Sequence, residues 1–438
     1  MKKTAKFGGT SLADAGRFLL VRDIVNSDPD IHFIVVSAPG KRFDGDKKIT
    51  DLLYECSSLL QDGVTFADAF HPVANRFREI IDELGIVLDI EREFKIMETE
   101  LESGASIDYC VSRGEYFSAL ILAELLGWPV IEPGECVFFD HNRDANFHMA
   151  TETLRQRSAN LEYAVMPGFY GAMKDGEICV FDRGGSDISG AILACATESD
   201  IYENWTDVPG VFNADPKIIP DAAVIPSMTY DEIRELAYMG ANVLHESAVI
   251  PVRYLGIPIH MRYTMNKSVP GTLISNKKDR CFNIVTGISG RVGYSAVQIE
   301  KEEMNSTVGY CRRILSAFEK NDVPFDHIAT GLGSISLIAP TKNIERCRDE
   351  LIMDINAAVN PSSISIESGL AMVSVVGDCL KGRSGIAGRL LGAIGRAGIN
   401  IRMIVQGTRE INITIGINEN DYEEAVISAH SEFFAKKY

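Results

Sequence analysis

The sequence predicts an α/β fold in two parts: a parallel-sheet domain with helices on both faces, then a duplicated region of helices and strands. Three observations carry this. The first forty residues read strand, turn, helix, strand, the opening of a βαβ unit. Residues 31–36 (IHFIVV) are almost uninterruptedly apolar, as a strand covered on both faces must be. The last third of the chain repeats itself when Gly309 is laid over Gly385.

The elements follow in order. Residues 4–7 form the first strand, and Gly8-Gly9 turn the chain. Thr10 or Ser11 caps a helix running to about residue 27, with Phe18, Val21 and Val25 on one face. The region 50–125 is helical by pattern and opens with Thr50 as a helix cap. Strand signals return at 163–169, 178–181 and 201–205, with helical pattern at 188–196 and 230–238. Pro270-Gly271-Thr272 and the polar run 275–280 close the domain. Beyond it, each copy of the repeat reads helix, strand, turn, strand, after a leading strand at 295–299 or 372–376. Arg313, Leu315, Ala317, Ile328 and Gly331 fall over Arg389, Leu391, Ala393, Ile404 and Gly407. A unit this short leaves one sheet face open, so the copies pack on each other or on a second chain.

Composition narrows the function. The 438 residues are 46% apolar and 24% charged, which excludes disorder and fibrous repeats. Lys plus Arg number 43 against 61 Asp plus Glu, so the net charge of −18 argues against a nucleic-acid binder or a protein held on anionic lipid. No apolar run reaches about 18 residues, so no membrane span is expected. The opening MKKTAKFGG lacks a signal-peptide core, and a cytoplasmic location is expected. Nine dispersed cysteines without a CxxC pair fit reduced, buried thiols. His245, His260 and His327 stand apart, so they read as structural, and no metal site made of protein ligands is expected.

Five motifs carry chemistry. In Lys6-Phe7-Gly8-Gly9-Thr10-Ser11, glycines after a strand let backbone approach a phosphate, and Lys6 reaches it as a point charge. Arg183-Gly184-Gly185-Ser186-Asp187 is a second such turn, bearing a cation, a hydroxyl and a carboxylate. That set suits phosphoryl transfer, where the protein chiefly positions groups and neutralises charge. Ser112-Arg113-Gly114-Glu115 offers a carboxylate that either pairs with a helix dipole or binds a ligand ammonium. The stretches 205–210 (WTDVPG) and 213–217 (NADPK) place polar groups at a sheet edge, where α/β folds bind ligands. Lys48-Ile49-Thr50-Asp51 completes the set, with Thr50 fit both to cap and to bind.

Together these segments resemble the aspartate kinases of the amino-acid kinase superfamily. The matching stretches are KFGGTS (6–11), KKITDLL (47–53), SRGE (112–115), GFYG (168–171), RGGSD (183–187), WTDVPG, ADPK (214–217), ELAYMGANVLH (235–245) and PGT (270–272). Residues 398–413 are similar to the family's second ACT domain, and the likeness covers nearly the whole chain in order.

The resemblance implies an αβα sandwich kinase domain over 1–280, followed by two βαββαβ ferredoxin-like ACT units. The first would span 292–367, inserted in a second made of 283–290 and 368–438. It implies transfer of the γ-phosphoryl group of ATP, carried with Mg²⁺, to the β-carboxylate of L-aspartate. That step opens the routes to lysine, threonine and methionine. Carried over residue by residue, Lys6 and Asp187 are catalytic, and Gly8, Gly9 and Thr10 line the phosphate path. Glu115 binds the substrate ammonium and Arg183 a substrate carboxylate, while Thr50, Phe169 and Ser186 shape the pocket. Thr206, Asp207, Phe212, Asp215 and Lys217 hold the nucleotide.

An effector amino acid would sit at Met304, Gly309, Tyr310, Phe325, Asp326 and Thr330. Lysine is the first expectation, with threonine or both together as alternatives, and the ACT units would pair two chains into a homodimer. The sequence departs from the family pattern at Asn242, where lysine is usual, at Phe212 for tyrosine, at Glu246 for proline and at Asp182 for glycine. Lys217 is the cation available to replace the missing lysine. A kinase for glutamate or a related acid and a non-catalytic amino-acid sensor are the alternative readings.

Overall fold

The computed structural model describes residues 1–435 except 183, 242, 243, 245, 279–282 and 303. The chain divides into two compact units. The first holds residues 1–211, 224–234 and 242–279, and the second holds 212–223, 235–241 and 280–438.

In the first unit, β1 (Lys3–Phe7) is followed by α1 (Ala15–Asn26) and β2 (Ile31–Val36), the βαβ opening read from the sequence. The helix cap differs from the expectation. Thr10 and Ser11 lie in a short 3₁₀ turn, Gly9–Leu12, and the cap is Asp14, whose carboxylate accepts from the Arg17 N–H. Four helices follow: α2 (Ile49–Gln61), α3 (Phe66–Leu84), α4 (Ile90–Glu102) and α5 (Ile107–Leu126). Lys48, not Thr50, holds the cap position of α2, and its side chain makes no capping bond. Then come α6 (Phe147–Ser158), β3 (Ala164–Pro167), the hairpin β4 (Tyr170–Ala172) and β5 (Ile178–Val180), α7 (Gly185–Ala196) and β6 (Ile201–Thr206). The unit closes with β7 (Ser227–Thr229), α8 (Tyr230–Tyr238, whose last residues group with the second unit), α9 (Val249–Leu255), β8 (Ile259–Tyr263) and β9 (Thr272–Ser275).

The sheet order is β3-β2-β1-β6-β8-β9-β7, parallel except for β8 against β9. Helices α1 to α5 cover one face, with Phe7, Ile34, Val36, Phe18, Leu53 and Phe117 buried between. Phe117 meets Phe77 and Phe94 edge-on, each with ring centroids 5.3 Å apart, and so ties α5 to α3 and α4. Helix α7 is buried almost all round, packed between the sheet, α6 and α9, which explains its small and apolar residues from Ile188 onward.

The second unit contains β10 (Gly287–Glu300), α10 (Tyr310–Lys320), β11 (His327–Thr330), β12 (Ser334–Pro340), α11 (Thr341–Glu345) and α12 (Arg348–Val359). It continues with β13 (Ser363–Val376), α13 (Ile386–Arg396), β14 (Met403–Val405), β15 (Asn412–Asn418) and α14 (Tyr422–Phe434). The repeat is therefore α10-β11-β12 against α13-β14-β15. Both copies share one sheet, β11-β12-β10-β13-β15-β14, because β10 and β13 are long. Tyr294–Glu300 of β10 pairs in the first copy, and Gly287–Arg291 pairs with Met372–Val376 in the second. Each copy keeps its own core, one around Tyr310, Ile314 and Leu351, the other around Val373, Leu390 and Ile415.

Two segments expected in the catalytic domain group instead with the second unit. In 212–223, Ala214 and Ile219 bury against the Val373–Leu390 core. In 235–241, Met239 packs with Tyr294, Ile338 and Met372. Cys56, Cys110, Cys136, Cys179 and Cys195 are buried thiols, but Cys379 is disulfide-bonded, against the expectation of reduced cysteines throughout. Among the described residues, no helix is long and apolar enough to cross a membrane.

Candidate active site

The sheet order fixes where a ligand can sit in the first unit. From β1 the chain moves outward through β2 and β3, then returns on the other side with β6. The strand order thus reverses between β1 and β6, and open α/β sheets bind ligands outside the carboxyl ends of strands at such a point. The Lys6-to-Ser11 motif leaves β1 there, and the Gly8 N–H donates to the Trp205 carbonyl of β6 at 3.1 Å.

Lys6 lies opposite Asn204 in the β1–β6 register. Its Nζ is 2.6 Å from Asp187 Oδ1, with both side chains mostly buried. The Asn204 amide donates to the same Asp187 oxygen at 2.8 Å. Asp187 sits in the first turn of α7. The ammonium is thus held at the strand end by a carboxylate that is itself oriented by a third group. Gly8 exposes its backbone beside it: a Cβ there would lie 3.5 Å from Lys6 Nζ.

Glu115 projects from the middle of α5 and is 4% exposed. Burial pushes its carboxyl up to about 8, while hydrogen bonds from the Ala38 N–H and its own N–H, and the charges of Arg113 and Lys6, pull the other way. Its Oε2 is buried without a hydrogen-bond partner among the described residues. A buried polar atom left unpaired is costly, so this oxygen is open to a further donor or a cation. Arg113, also buried, is not that cation. It bonds Ser112 Oγ, and its guanidinium lies 4.5 Å from the Tyr109, 4.6 Å from the Tyr116 and 5.2 Å from the Tyr170 ring centroid.

The loop after β2 closes over the phosphate turn at van der Waals limits. The Gly40 N–H donates to the Gly9 carbonyl at 2.8 Å, and a Cβ on Gly40 would lie 2.7 Å from the Gly9 carbonyl carbon. We expect Gly40→Ala to separate these segments and lower stability by about 1–3 kcal/mol, read as a shift in urea midpoint. An unchanged midpoint would show that the loop gives way without cost.

Phe169 adopts φ +76°, a left-handed conformation that strains a bulky residue by about 1–2 kcal/mol. Its N–H donates to Ser189 Oγ at 3.2 Å, and its carbonyl accepts the Phe181 N–H at 2.9 Å. Gly185 is required beneath it, since a Cβ there would lie 2.8 Å from the Phe169 Cα. Ser186 is buried next to it, and Thr50 is half-buried in the first turn of α2. Arg183, Asn242 and His245 lie outside the described residues.

The nucleotide set is divided. Thr206 ends β6 and Asp207 follows it in the first unit, with the Thr206 hydroxyl 3.2 Å from Asp207 Oδ1. Phe212, Asp215 and Lys217 belong to the second unit, where Asp215 accepts the Lys217 N–H at 2.9 Å and both side chains are exposed. Among the effector positions, Gly309 precedes α10 with φ +77° and no capping side chain. Met304 and Tyr310 are buried, and the Tyr310 hydroxyl has no partner among the described residues. Phe325 and Thr330 are exposed at β11. Asp326 is already engaged, accepting from the Tyr238 hydroxyl at 2.5 Å. No group of three His, Cys, Asp or Glu side chains suited to a metal occurs among the described residues.

Asn204 and the Ala38–Gly40 contacts escaped the sequence reading. The signal available for Asn204 was a pair of polar residues, Glu203 and Asn204, inside an otherwise apolar strand; both are buried. For Ala38 there was none, because its contribution is a backbone N–H.

Known proteins resemble this chain over nearly its whole length. Residues 1–262 match the description "Amino acid kinase family", and residues 373–433 match "ACT domain". Aspartokinase 3 of Bacillus subtilis is 32% identical over 451 residues, covering 99% of both chains. The solved structure of Clostridium acetobutylicum aspartate kinase aligns with a TM-score of 0.88 at 40% identity, covering 99% of this chain and 100% of that one. E. coli aspartokinase III in complex with aspartate and ADP aligns with a TM-score of 0.81 at 25% identity, covering 99% of each chain.

Proposed function

Because the chain belongs to the amino acid kinase family, as an aspartate kinase with a C-terminal ACT domain, we infer that the first unit's cluster of Lys6, Glu115, Ser186 and Asp187 is where phosphoryl transfer to L-aspartate occurs. The observation that carries this reading is the buried Glu115 Oε2, which has no partner among the described residues and which the substrate ammonium would satisfy. Arg183 would take the α-carboxylate as a bidentate fork, with Thr50 and Phe169 shaping the pocket. Gly8, Gly9 and Thr10 would line the phosphate path. Thr206, Asp207, Phe212, Asp215 and Lys217 are carried as the nucleotide-holding set, and Mg²⁺ enters with ATP as the substrate complex.

The acceptor needs no general base. A β-carboxylate with a pKa of about 4 is already ionised at neutral pH. One of its oxygens forms a bond to Pγ as the bond from Pγ to the β,γ-bridging oxygen breaks. The products are 4-phospho-L-aspartate and ADP. Catalysis then rests on alignment and on cancelling charge at the transferring group, the task assigned to Lys6. Asp187 holds that ammonium in place, and Asn204 fixes Asp187.

The acyl phosphate is an activated carboxyl group, fit for the steps leading to lysine, threonine and methionine. Feedback by one of these is part of the proposal, with lysine first. Its support is a 27% identical relative named lysine-sensitive aspartokinase 3 of Escherichia coli and the related E. coli aspartokinase III structure in complex with lysine and aspartate. Lysine would lie near Gly309, Tyr310 and Asp326, and a homodimer through the ACT units would complete the assembly.

The test is ADP release by purified protein with Mg-ATP and L-aspartate, repeated with lysine, with threonine and with both. Aspartate-dependent turnover suppressed by lysine is expected. Turnover with glutamate in preference to aspartate would overturn the substrate assignment, and suppression by threonine alone would overturn the effector.

A further inference from the structure

Arg76 lies on the inward face of α3, between Val73, Ala74, Phe77 and Ile80, and is 4% exposed. Its Nη1 donates to the Ala13 carbonyl at 3.2 Å, just past the phosphate turn. Its Nη2 donates to Asp46 Oδ2 at 2.8 Å and to the Lys47 carbonyl at 3.0 Å. Asp46 also accepts from the Arg42 N–H and Nε, each at 3.0 Å, which with Arg76 holds its carboxyl well below the usual range. One guanidinium therefore fastens two separate segments: the end of the phosphate turn and the polar loop 41–48.

That loop is the link between parts of the site. Before it, the Ala38 N–H favours the ionised form of the Glu115 carboxyl, and the Gly40 N–H bonds the Gly9 carbonyl. After it, the Ile49 N–H returns to the Pro39 carbonyl at 3.0 Å, and α2 begins with Thr50 in its first turn. Most of residues 41–48 are exposed and bury no apolar side chain, so packing does not fix their course. Arg76 is the buried charge that reaches them.

A buried ion pair is a poor source of stability, because desolvating both charges offsets their attraction. What a guanidinium supplies is a rigid planar fork that addresses several acceptors at fixed angles. We propose that Arg76, through Asp46, Lys47 and Ala13, is a positioning residue that clamps the 41–48 loop onto the phosphate turn and so sets the aspartate pocket between Gly9, Thr50 and Glu115. This rests on the site proposed above.

The test compares Arg76→Met, Arg76→Lys, Asp46→Asn and the double variant Arg76→Met/Asp46→Asn by steady-state kinetics and thermal melting. Loosening a positioned substrate by fractions of an ångström is expected to raise aspartate KM about tenfold and lower kcat about tenfold in Arg76→Met. ATP KM moves much less. Arg76→Lys recovers part of the loss, and the double variant, which leaves no buried charge unpaired and leaves the exposed Arg42 its contact with Glu79, melts near the wild-type temperature while keeping the kinetic defect. Asp46→Asn, on the exposed loop, shows the same shift at smaller size and carries the test if Arg76→Met does not fold.

A double variant with wild-type aspartate KM and kcat overturns the clamp. So does a loss that tracks melting temperature and affects aspartate and ATP alike. Glu115→Gln is measured alongside. If it raises aspartate KM while the Arg76 and Asp46 variants do not, the clamp alone fails. If none of them does, the site reading fails with it.

Discussion

Lys6→Ala should lower kcat by about 10³ while changing aspartate KM by less than about threefold. The ammonium is held at the end of β1 by Asp187 at 2.6 Å, in a setting where both side chains are mostly sheltered from water. A charge fixed in this way acts on the transferring phosphoryl group without reorganising as the reaction proceeds, and little else in the described cluster can replace it. In the proposed site the substrate's own charges would be met elsewhere, at Glu115 and Arg183, so ground-state binding should survive. In Lys6→Ala, Asp187 loses its counter-charge but keeps the Asn204 amide at 2.8 Å. Lys6→Ala/Asp187→Asn should accordingly be no slower than the single variant. A coupled ADP-release assay reads both, and a Lys6→Ala kcat within about threefold of wild type would remove Lys6 from the mechanism.

The second large effect concerns Glu115. Burial pushes its carboxyl up to about 8, which favours the protonated form at pH 7. An ammonium ligand requires the carboxylate. Aspartate binding near pH 7 should therefore release close to one proton, and affinity should rise with pH up to about 8 before levelling off. Calorimetry in two buffers of different ionisation enthalpy measures that proton.

Glu115→Gln should raise aspartate KM about 100-fold and flatten its pH dependence, because an amide cannot supply the charge. The same substitution should stabilise the folded protein at alkaline pH. The folded carboxyl titrates above its ordinary value of 4.5, so folding favours the protonated form. The penalty for the ionised form begins as pH rises past the unfolded value and is complete above about 8. Glu115→Gln should thus melt higher than wild type at pH 8 and above, with the gap closing toward acid. A wild-type aspartate KM in this variant, or binding with no proton released, would leave Glu115 as a buried helix residue only.

These two residues show what kind of information a sequence holds. The sequence by itself determined the local devices: a strand ending in Lys6 before Gly8-Gly9, a second glycine turn before Ser186-Asp187, a carboxylate in Ser112-Arg113-Gly114-Glu115, and a duplicated α-β-β unit marked by Gly309 and Gly385. Each is legible because strand and helix periodicity, turn glycines and charge lie within a few residues of one another. The assignments that failed were also local, but decided by competing contacts. Asp14 took the cap expected of Thr10 or Ser11, which lie in a 3₁₀ turn, and Lys48 the position expected of Thr50, which lies in the first turn of its helix.

The tertiary structure alone decided the rest. The β1–β6 register sets Asn204 opposite Lys6, and both meet Asp187 of α7, while Arg76 reaches Asp46 and Ala13 across 30 and 63 residues of chain. It also decided that 212–223 and 235–241 are held by the second unit, through Ala214, Ile219 and Met239. Such pairings depend on which buried surfaces find each other once the sheets form. Their free energy comes from burial and hydrogen bonding between segments far apart in sequence, which no local pattern encodes.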